Sequence, residues 1–188
     1  MTISEQCTKS YERLKNLKLV GEELKIPWQT VYVHLKRSGV KVTGDKARYG
    51  SATDRVAIIG ENRFRDTVPI AIDNNKLQYQ STVDFTVGNV KVDIKTARIR
   101  RYQDTRTAKN TAPRWGFCIN KQLDIADFFV FYALDENDQV KHVFLMPHEI
   151  VTTCSTISIP ESLASKWADY KVNESDLLPF FRAISENA

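Results

Sequence analysis

Three cysteines, Cys7, Cys118 and Cys154, are spread over 188 residues, and three histidines, His34, His142 and His148, are spread as widely. The cysteines are odd in number and lack zinc-ligand spacing, which excludes a secreted disulfide framework and a zinc module and points to reduced thiols in a cytoplasmic protein. The scattered histidines leave no paired-histidine metal motif. The seven glycines form no phosphate-cradling loop, so no nucleotide cofactor is expected, and no serine sits in a nucleophile elbow. No apolar run approaches membrane-spanning length, and the polar start of the chain does not read as a signal peptide. Charge of one sign is lacking too: 27 Lys and Arg against 23 Asp and Glu give a net +4, which permits a nucleic-acid partner without requiring one. There is no internal repeat and no low-complexity tract.

The stretch from 81 to 98, STVDFTVGNVKVDIKTAR, is rich in chemistry. Val83, Phe85 and Val87 alternate with polar residues. After a turn at Gly88-Asn89, Val90, Val92 and Ile94 alternate with Lys91, Asp93 and Lys95. Period-two alternation reads as a strand hairpin with Asp93 and Lys95 on one face and the apolar residues on the other. The hairpin brings Asp84 to the same end as Asp93. Two carboxylates and an ammonium suit a hard, oxygen-liganded cation such as Mg²⁺, able to activate water against a phosphodiester. A solvated amphipathic hairpin would carry the same residue types. Upstream, residues 52–68 have helical spacing, and Ala57, Glu61, Phe64 and Val68 share one stripe. A carboxylate in an apolar stripe is expensive to bury unless it is paired or binds metal; at the border of the stripe it would simply reach water.

A Gly-Glu pair on a helix, then Asp84, then Asp93-Ile94-Lys95 resembles the PD-(D/E)XK nuclease superfamily, the restriction-endonuclease-like fold, over residues 52–145. Val83 stands where the name-giving pattern has proline, a position that varies widely in the superfamily. The resemblance implies an α/β (α+β) core with a mixed central sheet flanked by helices. It implies that Asp84 and Asp93 bind Mg²⁺, with Mn²⁺ able to substitute, that Glu61 completes the shell, and that Lys95 assists the attacking water.

Ahead of this core, residues 4–19 read as a helix, 20–25 as a short helix and 28–38 as another, with Pro27 at its start and Gly39 as its stop. Leu24, Ile26, Val31 and Leu35 would pack between the last two. This resembles the helix-turn-helix DNA-binding module, which implies that Trp28, Gln29 and Thr30 reach base edges and that Tyr32, His34, Lys36 and Arg37 meet bases or phosphates. A helical hairpin packed on the main domain is the plain alternative. Residues 41–50 read as a linker whose Lys41, Lys46 and Arg48 could touch the DNA backbone. The expected domains are therefore 1–45, module and linker, and 46–188, nuclease-like domain.

Arg98, Arg100, Arg101, Arg106, Lys109 and Arg114 follow the Asp93 strand in a loop-like, polar setting suited to phosphates. Lys121 or Gln122, just past the strand expected at 115–119, could face the site by the same resemblance. Residues 77–80 are expected to begin the first strand, 128–134 and 140–146 to form further strands across a turn at 135–138, and 157–159 a short one. Asp124 and Asp127 read as loop or capping acids. Asn173 reads as the N-cap of a last helix through residue 184. The leading expectation is a metal-dependent endonuclease on double-stranded DNA, of restriction or homing type, and a homodimer because one such site cuts one strand. A non-catalytic DNA-binding regulator and a nuclease on branched DNA or RNA are the alternatives.

Overall fold

A computed structural model describes residues 1–42, 50–77, 81–101 and 111–186. The chain divides into two compact units, Met1–Ser51 with Asn75–Ser81, and Ala52–Asn74 with Thr82–Ala188. The boundary expected between 45 and 46 lies outside the described residues. Among them, no helix is long and apolar enough to cross a membrane.

The first unit is built on three helices, α1 (Ile3–Leu14), α2 (Leu17–Leu24) and α3 (Trp28–Arg37). A capping box starts α1, Thr2 accepting from the Glu5 amide while Glu5 accepts from the Thr2 amide. The single helix expected over 4–19 is broken instead. Lys15 takes a left-handed conformation, and the Asn16 side chain accepts from the Lys18 and Leu19 amides to start α2 three residues earlier than expected. Lys25, again left-handed, ends α2, and Pro27 leads into α3. Gly39, at φ 69°, follows the last turn. Cys7, Tyr11, Val20, Val31 and Leu35 are buried together, with Leu24 and Ile26 partly buried against them. Lys41 donates to the Leu77 carbonyl, which ties Leu77 to this unit.

The second unit holds a mixed six-stranded sheet. Its strands are β1 (Ile72–Asp73), β2 (Phe85–Val87), β3 (Val90–Arg98), β5 (Phe128–Leu134), β6 (Val140–Pro147) and β8 (Lys171–Val172), hydrogen-bonded in that order. All pairs are antiparallel except β3 with β5. Parallel neighbours need a long crossover, and this one contains β4 (Arg114–Cys118). β4 does not join the central sheet; it pairs with β7 (Thr156–Pro160) as a separate two-stranded ribbon. Helix α4 (Ala52–Thr67) and the last helix, α7 (Leu177–Glu186), which follows a one-turn helix α6 (His148–Val151), cover one face of the central sheet through Phe64, Leu177 and Phe181, with Val68 just past α4. The other face is covered by the ribbon, whose Trp115, Phe117, Ile157 and Ile159 meet Phe129, Phe131 and Phe144. Helices therefore flank the mixed sheet on one side and a ribbon on the other.

Two further expectations differ at short elements. Leu77 closes a one-turn helix, α5 (Asn74–Leu77), rather than opening a strand, because the chain has already paired as β1 just before it. Asn173 makes no side-chain cap; its Nδ2 donates to the Asp176 carboxylate, and a 3₁₀ turn, Glu174–Asp176, precedes α7. Asp127 has the structural part expected of it. Its carboxylate accepts from the Lys91 amide at 2.7 Å, and its own amide donates to the Lys91 carbonyl, so it ties the start of β3 to the start of β5.

Candidate active site

The site begins with the hairpin register. Phe85 pairs with Val92 and Val87 with Val90 across the Gly88-Asn89 turn. One residue further, Asp84 stands opposite Asp93, just before β2. There the ladder has run out of backbone acceptor, and Asp84 Oδ2 takes its place, accepting from the Ile94 amide at 2.9 Å. The alternation in β3 is as the sequence implies: Val90, Val92 and Ile94 belong to the core under α4, while Asp93 and Lys95 lie on the ribbon side beside Phe129 and Phe131 of β5. The Asp93–Lys95 face is not a solvated one. Asp93 is 1% exposed, one of only two polar or charged residues found buried among the described residues.

A buried carboxylate must be neutralised or paired. Lys95 Nζ lies 2.7 Å from Asp93 Oδ2, and this ion-pair contact is the one partner that buried oxygen has among the described residues. Burial pushes the Asp93 carboxyl up to about 7; the Lys95 ammonium opposes this, and the negative charges of Asp84 and Glu61 add to it. These four residues from α4, the start of β2 and β3 thus share one electrostatic environment. Glu61 is half-buried on α4. Its neighbour explains how α4 comes so close: a Cβ on Gly60 would stand 2.1 Å from Thr96 Oγ1, 3.0 Å from Tyr132 Cδ2 and 3.2 Å from Ile94 Cγ2. Only glycine lets the helix rest on β3 and β5 at this point.

Among the described residues, no three His, Cys, Asp or Glu side chains form a ready-made metal cage. Mg²⁺ does not ask for one. It commonly takes one or two protein carboxylates and fills its octahedron with water and substrate phosphate. Asp93, buried with Lys95 as its counter-charge and with two more carboxylates bearing on it, fits such an ion: a divalent charge would offset the burial and the carboxylate repulsion that now raise its proton affinity.

The basic residues do not act as one group. Arg98 is ion-paired with Asp138, whose carboxyl it holds below its usual range. Arg100 and Arg114 pair backbone to backbone and extend the ribbon, and Arg101 is exposed beside them. Arg106 and Lys109 lie outside the described residues, as do Lys46 and Arg48. Lys121 and Gln122 sit on the turn after β4. Gln122 supports that turn through its backbone, and among the described residues no hydrogen bond or ion pair joins either side chain to Asp84, Asp93 or Lys95.

On α3, Val31 and Leu35 point into the first unit's core, whereas Trp28, Gln29, Thr30, Tyr32, Lys36 and Arg37 are exposed. His34 is drawn to α1, where its Nδ1 meets Ser4 Oγ at 2.8 Å, so it does not share the outward face. Val33, which no motif in the sequence singles out, would join them on a DNA-facing surface: it is 42% exposed on that face, and its outward position follows from the helical period set by Val31 and Leu35. Compared with known families and with curated proteins, the chain matches no family model and no curated protein.

Proposed function

We propose that the chain is a metal-dependent endodeoxyribonuclease with a restriction-endonuclease-like core, recognising double-stranded DNA through α3 and cutting it at Asp84, Asp93, Glu61 and Lys95. The observation that carries the reading is the burial of Asp93 near two other carboxylates with Lys95 in contact, an arrangement that costs free energy unless a bound cation offsets it. Asp93 and Asp84, with Glu61 behind them, would hold the cation. Bound Mg²⁺, or Mn²⁺ in its place, supplies charge neutralisation at the phosphate and acidifies water.

The chain's own residues do the rest. Lys95, held by Asp93, presents an ammonium that can orient the attacking water and donate to a phosphate oxygen. Asp84, fixed by the Ile94 amide, keeps one carboxylate pointed at the same place. Arg100, Arg101 and Arg114 offer exposed or half-exposed guanidinium groups to the DNA backbone. One site of this kind cuts one strand, so cutting both strands calls for a homodimer.

The test is cleavage of mixed plasmid and genomic DNA with Mg²⁺, Mn²⁺ or EDTA. Wild type is expected to cut with metal and not with EDTA. Lys95→Ala should slow cutting roughly 10²–10³-fold, the loss typical of one transition-state donor, and discrete bands would indicate a fixed recognition sequence. Tight duplex binding by wild type without cleavage of any substrate would overturn the catalytic reading and favour a DNA-binding regulator.

A further inference from the structure

The outward face of α3 carries an apolar residue that the core does not use. Val33 is 42% exposed, while Val31 and Leu35 on either side are fully buried. Valine is a poor helix former on a surface, because its branched Cβ loses rotamer freedom against the preceding turn. The neighbours of Val33 narrow what it can meet. Tyr32 lies under the Lys36 ammonium, 5.7 Å from ring centroid to Nζ, and His34 is held by Ser4. One turn before Val33 stands the exposed amide of Gln29, and one turn after it Arg37. The whole helix, WQTVYVHLKR, has no carboxylate and ends on Lys36 and Arg37. Its charge complements a polyanion; Trp28, Thr30 and Tyr32 are exposed as well, and on the stripe of Gln29, Val33 and Arg37 the uncharged chemistry is one amide and one branched hydrocarbon.

We propose that this stripe selects A·T base pairs in the major groove. The Gln29 amide accepts from adenine N6 and donates to adenine N7, and Val33 packs against the C5-methyl of a nearby thymine. Both are major-groove features that a G·C pair does not offer in that arrangement. Four residues of helix rise about 6 Å, and base pairs along one strand are about 3.4 Å apart, so the adenine and the thymine lie within about two steps of each other. Lys36 and Arg37 at the far end of α3 take phosphates. The inference rests on the reading that α3 enters a DNA duplex, and the experiment separates the two.

The full chain is used to select from a randomised duplex library, in EDTA and again in Ca²⁺. The enriched duplex is then remade with uracil for thymine, which removes only the methyl, and with 7-deazaadenine for adenine, which removes only N7. Wild type is expected to enrich A·T pairs and to bind the uracil duplex about fourfold more weakly, the worth of one buried methyl. Val33→Ala should lose that discrimination and Val33→Thr, which keeps a methyl, should retain part of it. Gln29→Ala should lose sensitivity to 7-deazaadenine. Equal binding of thymine and uracil duplexes by wild type, or unchanged discrimination in Val33→Ala, would overturn the inference while leaving DNA binding intact. No enriched or bound duplex in either condition would overturn the DNA reading and this inference with it.

Discussion

Asp93→Asn should abolish metal-dependent DNA cleavage and, in the same preparation stripped of metal, raise the melting temperature. A residue that serves only the fold would lower both. The reason is the position of the Asp93 carboxyl, raised by burial to about 7 from an ordinary 3.8. A carboxyl whose proton affinity is higher in the folded state stabilises that state fully only below its unfolded pKa. The contribution is lost as pH rises through the folded value, between about 4 and 7 here, and the fold is weakest above it. At pH 8 the charge weakens the metal-free fold by on the order of 4 kcal/mol, the opposing Lys95 contact already included, against which must be set the cost of burying a carboxamide in its place. A net gain of roughly 5–10 °C at pH 8 follows for a chain of this size, and it should shrink toward pH 5, where wild-type Asp93 is protonated. Calorimetry across that range in EDTA reads this directly. Adding Mg²⁺ at pH 8 should stabilise wild type by mass action and leave Asp93→Asn unmoved. If the variant melts lower than wild type at every pH, Asp93 is a structural anchor and the metal reading fails.

The hairpin that holds Asp93 was legible because alternation in β2 and β3 depends on chain-local rules alone. A side chain's face is set by counting, and the turn at Gly88-Asn89 fixes the register. What counting does not reveal is which face becomes the wetter one. The Asp93 face is buried because β4 and β7, about 40 residues apart in sequence, pair into a ribbon over Phe129 and Phe131. Strands of five residues announce no partner, so the separate ribbon was invisible to a linear reading. The break between α1 and α2 is a similar case: the apolar spacing of Tyr11, Leu14 and Leu17 runs through it, and the left-handed Lys15 with the capping Asn16 overrides it. On α3, period and turn residues were enough to place Val31 and Leu35 inside, whereas the tether of His34 to Ser4 depends on how α1 packs across it. Asp127 could be separated from the metal-ligand candidates by position alone, since it precedes a strand that is apolar throughout.

Gly60→Val should cost more cleavage than any substitution outside Glu61, Asp84, Asp93 and Lys95, although residue 60 has no functional group. In an isolated helix, replacing glycine would help by up to about 1 kcal/mol through backbone entropy. Here the first added carbon meets Thr96 Oγ1 at 2.1 Å, with Tyr132 Cδ2 at 3.0 Å and Ile94 Cγ2 at 3.2 Å, and Thr96 is too short to swing away. Overpacking a fitted contact typically costs 1–3 kcal/mol, so the steric term outweighs the entropic one and α4 must lift from β3. Glu61 is the next residue, and it moves with the helix. A displacement of about 1 Å at a positioned group can cost on the order of 10²-fold in rate, so Gly60→Val should cut at least 10²-fold more slowly and melt several degrees lower. Gly60→Ala should fall between it and wild type. The informative partner is Thr96→Ala, which removes the closest atom. Combined with Gly60→Ala it should restore part of both stability and cleavage, and with Gly60→Val less, because Tyr132 and Ile94 still crowd the second methyl. Cleavage that stays at the wild-type rate in Gly60→Val, in a protein that still melts cooperatively, would show that the placement of α4 does not matter to the chemistry and would remove Glu61 from the site.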